Sequence, residues 1–316
     1  MNENNWLSLH VFLSDPEKSL RFLNEWLAPQ VQRLVNSNSL DRWFFIRYWD
    51  GGPHLRLRFK INKPYQSDAL QNALQEVIVD YSADKAITRE QYYGAHSFDG
   101  ETLNIETLDW YGEGAVVPIS YEPEITRYGG DQAILVNEQL FQVSSDIVLR
   151  ICREPNTNVQ QHLMRAMSLM AATFFGYSCD SNSGFDFFDG YASYWRTYSE
   201  AAAEAELSAG KEANAGIVRT VGELLHSIND RDSKQTLETI WSASIRDAIT
   251  EFESIWKNGE LVSPLTGAPV ETEDDFHTAV QLMLSSQVHM MNNRLGVIPT
   301  QECYLARLLA NAVQGV

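Results

Sequence analysis

The sequence predicts an α+β protein: an N-terminal, mostly antiparallel sheet with packed helices in a β-α-β-β-α order, followed by a largely helical C-terminal half. Three observations carry this. A strand-rich opening leads into a helix-period segment, two strand-like runs flank a Gly/Pro turn, and beyond Gly100 the apolar residues recur almost wholly at helical spacing.

Taken in order, Trp6 to Leu13 (WLSLHVFL) is dense in strand formers. Asp15-Pro16 then starts a helix, with Asp at a capping position and Pro in the first turn. From Glu17 to Val35 the residues Leu20, Leu23, Leu27, Val31 and Leu34 hold helical spacing. WFFIRYW (Trp43 to Trp49), the turn Asp50-Gly-Gly-Pro53 and HLRLRF (His54 to Phe59) form a hairpin signal. Ala69 to Tyr81 reads as the next helix, and Val116 to Tyr121 as a short strand. Gly129-Gly130 opens a helix to about Arg150. Further helices are expected over Gln160 to Phe175, Tyr191 to Leu207, Ala215 to Ile228, Lys234 to Trp256 and Asp275 to Asn293. Without a linker or internal repeat, residues 1–316 read as one domain, with a sheet-containing part (1–127) and a mostly helical part (128–316).

Composition narrows the function. The 316 residues are 44% apolar and 11% aromatic, which supplies a core and excludes global disorder. The formal charge of −18 and a pI near 4.7 make the chain a poor partner for phosphate, so no direct nucleic-acid contact is expected. The stretch from Tyr198 to Asp275 carries 16 acids against 6 bases, read as a solvated helical face or as a docking face for a basic partner. There are 17 Arg and 7 Lys, a bias toward the planar, two-pronged donor that holds carboxylates. Cys152, Cys179 and Cys303 are widely spaced and suggest neither a disulfide framework nor a zinc cluster. No apolar run approaches the roughly 18 residues of a membrane span, and the N-terminus lacks a signal pattern. A cytoplasmic protein with no metal and no cofactor is expected. The calcium-loop look-alike Asp180-Ser-Asn-Ser-Gly-Phe-Asp186 fails at its glycine and at the position of its bidentate acid, so a turn-rich loop is expected there.

Three segments carry chemistry. In HLRLR, strand alternation puts His54, Arg56, Arg58 and Lys60 on one face and Leu55, Leu57 and Phe59 on the other. Neighbouring same-face arginines repel unless anions lie opposite; the face is either an exposed polar one or a rigid holder of a ligand carboxylate. In EPEITRYGG, Glu124 and Arg127 sit three apart before the paired glycines, and Glu124 either pairs with Arg127 or orients a strand arginine. In SSQVHMMNNR, Leu282, Ser285, Ser286, His289, Asn292 and Asn293 share one helical face. There the serines leave space beside His289 and the two amides one turn on are placed to fix its tautomer. The histidines His10, His96, His162, His226 and His277 have no such company.

With these segments in family order, alongside WLSLHVFL and LFQVSSDIVL, the sequence resembles the thiopeptide-type bacteriocin biosynthesis proteins. These are stand-alone relatives of the C-terminal elimination domain of class I lanthipeptide dehydratases. The resemblance implies a two-step pathway. A separate tRNA-dependent glutamylation enzyme esterifies Ser or Thr hydroxyls of a precursor peptide with glutamate, and the elimination module expels the glutamate to leave dehydroalanine or dehydrobutyrine. By motif, the elimination residues fall on Arg56, Arg58, Glu124, Arg127 and His289, all retained by type. In such a site the guanidiniums receive the anionic oxygens, and His289 transfers a proton as base or as acid toward the leaving group. Glu124 either orients an arginine or is itself the base. The arginines and His289 are expected to converge on one pocket.

Two rival readings remain. Some members of the resembled family are pyridine synthases, which join two dehydroalanines by a formal [4+2] cycloaddition; these tend to lose the elimination residues, so the retained set favours elimination. The other rival is a non-catalytic scaffold that presents the precursor peptide.

Overall fold

The computed structural model describes residues 6–63, 65–95, 105–154, 158–197, 200–209, 215–229 and 235–314. The chain divides into two compact units. One comprises Met1–Glu122 with Val148–Glu154; the other comprises Pro123–Ile147 with Pro155–Val316.

The first unit is built on a four-stranded antiparallel sheet of order β2-β3-β1-β4, from β1 (Trp6–Phe12), β2 (Leu40–Tyr48), β3 (His54–Ile61) and β4 (Val116–Pro118). The last strand ends three residues earlier than its sequence suggests. Between β1 and β2 lie α1 (Pro16–Arg21), a π-helical turn (Phe22–Leu27) and α2 (Ala28–Asn36). Asp15 caps α1, accepting from the Glu17 and Lys18 amides at 2.8 and 3.1 Å. The periodicity predicts an uninterrupted helix over this stretch, and Pro29 is why the structure departs from it. Proline has no N–H for the carbonyl one turn back, and the Ala28 N–H reaches instead to Leu23.

The β2–β3 hairpin fixes the register of the site. Gly51 and Gly52 have φ of +83° and +111°. A Cβ at either would also stand 3.0 Å from the Tyr111 ring and 3.1 Å from the Trp110 ring, respectively. With this turn set, Leu57 lies between Phe45 and Leu9, and Phe59 between Trp43 and Leu7. Leu9, Val11, Trp43, Phe45, Leu55, Leu57 and Phe59 are all essentially buried, forming the core face of the sheet. The opposite face carries Trp6, Ser8, His10 and Phe12 beside His54, Arg56, Arg58 and Lys60. After β3 come α3 (Tyr65–Val77) and α4 (Arg89–Ala95).

The second unit is helical: α5 (Ala133–Ile151, whose last turn belongs to the first unit), α6 (Val159–Tyr177), α7 (Ser181–Arg196), α8 (Glu200–Ala209), α9 (Ala215–Asn229), α10 (Leu237–Lys257), α11 (Glu273–Leu295) and α12 (Pro299–Val313). The Asp180–Asp186 segment corrects the loop expectation. Asp180 caps α7, accepting from the Ser183 amide and hydroxyl, both at 2.7 Å; an Asp followed three residues later by Ser is a helix start here. Thr236 and Thr272 cap α10 and α11 through reciprocal bonds with Thr239 and Asp275. Helix α12 lies beyond the last helix the periodicity suggests and packs against α7 and α8. The expected helix start at Lys234, and His96, lie outside the described residues. No helix among the described residues is long and apolar enough to cross a membrane, and no cluster of three metal-ligating side chains occurs among them.

Candidate active site

In the first unit the HLRLR strand is not an exposed polar face. His54 and Arg58 are only 4% and 5% exposed, and Arg56 is partly covered. His10 sits opposite Arg56 on β1 and is itself buried. The expectation that His10 lacks company therefore fails: its ring stacks on that of His54, 4.7 Å between centroids, and its Nε2 accepts from Arg58 Nη2 at 3.1 Å. His54 repeats the arrangement. Its Nδ1–H donates to the Gly52 carbonyl at 2.8 Å, leaving Nε2 to accept from Arg56 Nε at 3.2 Å.

Each arginine thus leans on an imidazole lone pair, which requires both imidazoles to be neutral. The electrostatics agree. Burial, then the neighbouring His54 and arginines, lowers His10 to about 2; burial, helped by Arg56 and Arg58, lowers His54 to about 4. Arg58 itself is lowered to about 10, first by burial and then by Arg56. It donates to the Leu57 carbonyl at 3.2 Å and faces the Tyr121 ring at 5.6 Å; among the described residues no carboxylate pairs with it. Arg56 lies 3.4 Å above the Tyr48 ring. Trp6 and Phe44 pack edge-on against Tyr121 and complete an aromatic wall.

In the second unit Glu124 and Arg127 pair with each other at 3.6 Å, both about half exposed, a geometry of small energetic weight. What fixes Arg127 is Ser286 of α11, whose hydroxyl accepts from Nε at 3.2 Å. The RYGG turn is anchored behind it. Gly129 and Gly130 have φ of +84° and +102°. Asn137 donates to the Tyr128 carbonyl at 3.2 Å and accepts from Gln287 at 2.8 Å. Arg127 is therefore held on α11 one turn before His289.

His289 has an environment that its own helix does not foretell. Nδ1 lies 3.0 Å from Oε1 of Glu302, a fully buried residue of α12. The other oxygen of Glu302 accepts from the Tyr191 hydroxyl and from Asn292 Nδ2 (3.2 Å). Asn292 thus reaches the carboxylate, and the carboxylate reaches the ring, in place of the expected direct contact from the two amides. Trp195 covers one side of the imidazole at 4.7 Å. The sequence reading missed Glu302, Tyr191, His10 and the supporting Asn137–Gln287 pair. Of these, Glu302 alone left a signal, a single acid among the apolar residues of a helix that begins at Pro299.

Within its unit each set can do distinct chemistry. The strand set holds one buried and one half-buried arginine, donors of the kind that can bind anionic oxygens; the α11 set offers one exposed arginine and an oriented imidazole. The family model of the lantibiotic biosynthesis dehydratase C-terminal region matches residues 6–313. No curated protein matches in sequence. Among solved structures the chain is similar in fold to the pyridine synthase TbtD from thiomuracin biosynthesis (TM-score 0.70, 14% identity, 98% of each chain). It is also similar to TsrL (TM-score 0.64, 18% identity, 97% of this chain and 93% of that one). A third likeness is to the tRNA dependent lantibiotic dehydratase MibB from Microbispora sp. 107891 (TM-score 0.53, 19% identity), covering 99% of this chain and 28% of that one.

Proposed function

The chain belongs to the lantibiotic biosynthesis dehydratase C-terminal family, and we propose that it is the glutamate-eliminating component of a split peptide dehydratase. It acts on Ser or Thr residues of a precursor peptide that a separate tRNA-dependent enzyme has esterified with glutamate, leaving dehydroalanine or dehydrobutyrine.

The observation that carries this reading is Arg58: a buried guanidinium with Arg56 two residues away and no carboxylate pairing with it among the described residues. Burying a cation without a counter-ion is costly. Such a site is tolerated where a ligand brings the anion, and an O-glutamylated residue brings one free carboxylate and an ester that becomes a second as glutamate departs. In the proposed reaction His289 Nε2 takes the Cα proton. The Cα–H electron pair forms the Cα=Cβ bond, the Cβ–O bond breaks, and its electrons leave on the glutamate carboxylate. Arg56 and Arg58 receive the departing carboxylate and the second carboxylate of the same glutamate, while Arg127 stabilises enolate character on the adjacent carbonyl. Ser286 orients Arg127, and Glu124, paired with it at 3.6 Å, adds a weaker second hold on the guanidinium.

The likeness in fold to a pyridine synthase favours a second reading, [4+2] cyclisation of a dehydrated peptide. One pair of incubations separates the two. Release of glutamate from a synthetic O-glutamylated peptide supports elimination. Inertness there, together with macrocyclisation of a peptide already carrying two dehydroalanines, overturns it.

A further inference from the structure

We infer that Glu302 is the positioning residue of His289, and that it holds the neutral imidazole in its Nδ1–H tautomer so that Nε2 carries the lone pair. The inference deepens the proposed elimination and rests on it for the identity of the proton moved.

Three donors converge on the Glu302 carboxylate from three directions: His289 Nδ1 of α11, Asn292 Nδ2 one turn further along α11, and the Tyr191 hydroxyl of α7. Asn292 and Tyr191 are buried, and Glu302 is wholly so. The carboxylate therefore lacks water and takes its solvation from these groups, which fixes both of its oxygens. Tyr191 and Asn292 share Oε2, so among the described residues Oε1 is left to the histidine. With Nδ1–H committed to Oε1 and Trp195 against the ring, rotation of the imidazole is blocked at both its edge and its face. His289 is about one-fifth exposed, and Nε2 is its one remaining polar atom. Four ionisable side chains of the surrounding helices have partners of their own: His162 bonds the Leu295 carbonyl, Arg165 pairs with Glu238, Arg294 bonds Ser145, and Arg307 pairs with Asp189. The pattern matches the acid–histidine half of a triad, in which a buried acid selects the tautomer of a proton-transferring histidine.

Nitrogen-15 chemical shifts of the histidine rings, with His289 assigned by its loss in His289→Gln, read the tautomer directly. The wild-type ring at neutral charge is expected to be protonated on Nδ1. Glu302→Gln, whose amide can donate to Nδ1, is expected to move the proton to Nε2 and to lower kcat on the order of 10²-fold or more while KM stays within about twofold. Tyr191→Phe keeps the carboxylate and is expected to keep the Nδ1–H signature. An Nε2–H ring in the wild type, or a Glu302→Gln protein that retains both Nδ1–H and full kcat, overturns the inference. Should Glu302→Gln fail to fold, the wild-type shifts still decide. Should the wild type release no glutamate, the proposed function falls while the shifts continue to report on Glu302.

Discussion

His10 and His54 stack 4.7 Å apart with their planes 22° from parallel, and each presents an unprotonated Nε2 to an arginine on the same sheet face. The pair is a neutral sink for two adjacent cations. Protonating either ring would convert an acceptor into a third positive charge.

Acid should therefore loosen the first unit before the carboxylates titrate. Unfolded histidine binds a proton near pH 6.5, whereas His54 does so only at about 4 and His10 at about 2 in the fold. The contribution to stability is full above about pH 6.5 and is lost as pH falls toward the folded values, at no more than about 1.4 kcal/mol per pH unit for each ring. Urea unfolding between about pH 6.5 and about 5 should show this slope, and His10→Asn should make it shallower. A flat profile in the wild type would refute the neutral-pair assignment.

Arg58→Met should separate stability from activity. The substitution removes a desolvated cation but also takes the 3.1 Å donor from the buried His10 Nε2, two opposed effects that should leave the melting temperature close to the wild type. Glutamate elimination should fall by about 10²-fold or more, since a donor to the developing carboxylate is gone. A Met variant that melts well below the wild type and still releases glutamate at the wild-type rate would show that Arg58 serves the fold and not the reaction.

Gln287→Leu should cost about 1–3 kcal/mol, because the Asn137 side chain loses its 2.8 Å partner while remaining buried. The turn that carries Arg127 rests on Asn137, so the loss should also raise KM for the glutamylated peptide. Denaturant midpoints and steady-state kinetics on one preparation check both parts.

Gly129→Ala should be harsher than an ordinary Gly-to-Ala change. Its φ of +84° disfavours any Cβ, and the added atom would stand 2.8 Å from Met283 Sδ. The expected signature is a lower melting temperature with weaker elimination, measured by calorimetry alongside glutamate release.

The hairpin and the shared face of Arg56 and Arg58 were legible because both follow from short-range rules: a Gly-Gly turn fixes two flanking strands, and a period of two fixes their faces. Burial of that face was not legible. It depends on β1 pairing with β3 about fifty residues later, which brings His10 to Arg58. His289 stood out from its neighbours on α11, but its partner did not. Glu302 reaches it only because the chain turns at Gly296 and α12 folds back, and a single acid inside an apolar helix gives no local sign of which residue it will meet. Pro29 illustrates the converse: a helical spacing that persists through a π turn hides the turn from periodicity alone.

Elimination itself is tested most directly with an O-glutamylated serine peptide carrying deuterium at Cα. The account predicts that glutamate appears together with a dehydroalanine peptide from which the deuterium is gone, with a slowed rate that marks Cα–H cleavage, and that His289→Asn leaves the ester intact. Release of glutamate with serine regenerated and its deuterium retained would mean ester hydrolysis, and would contradict the account.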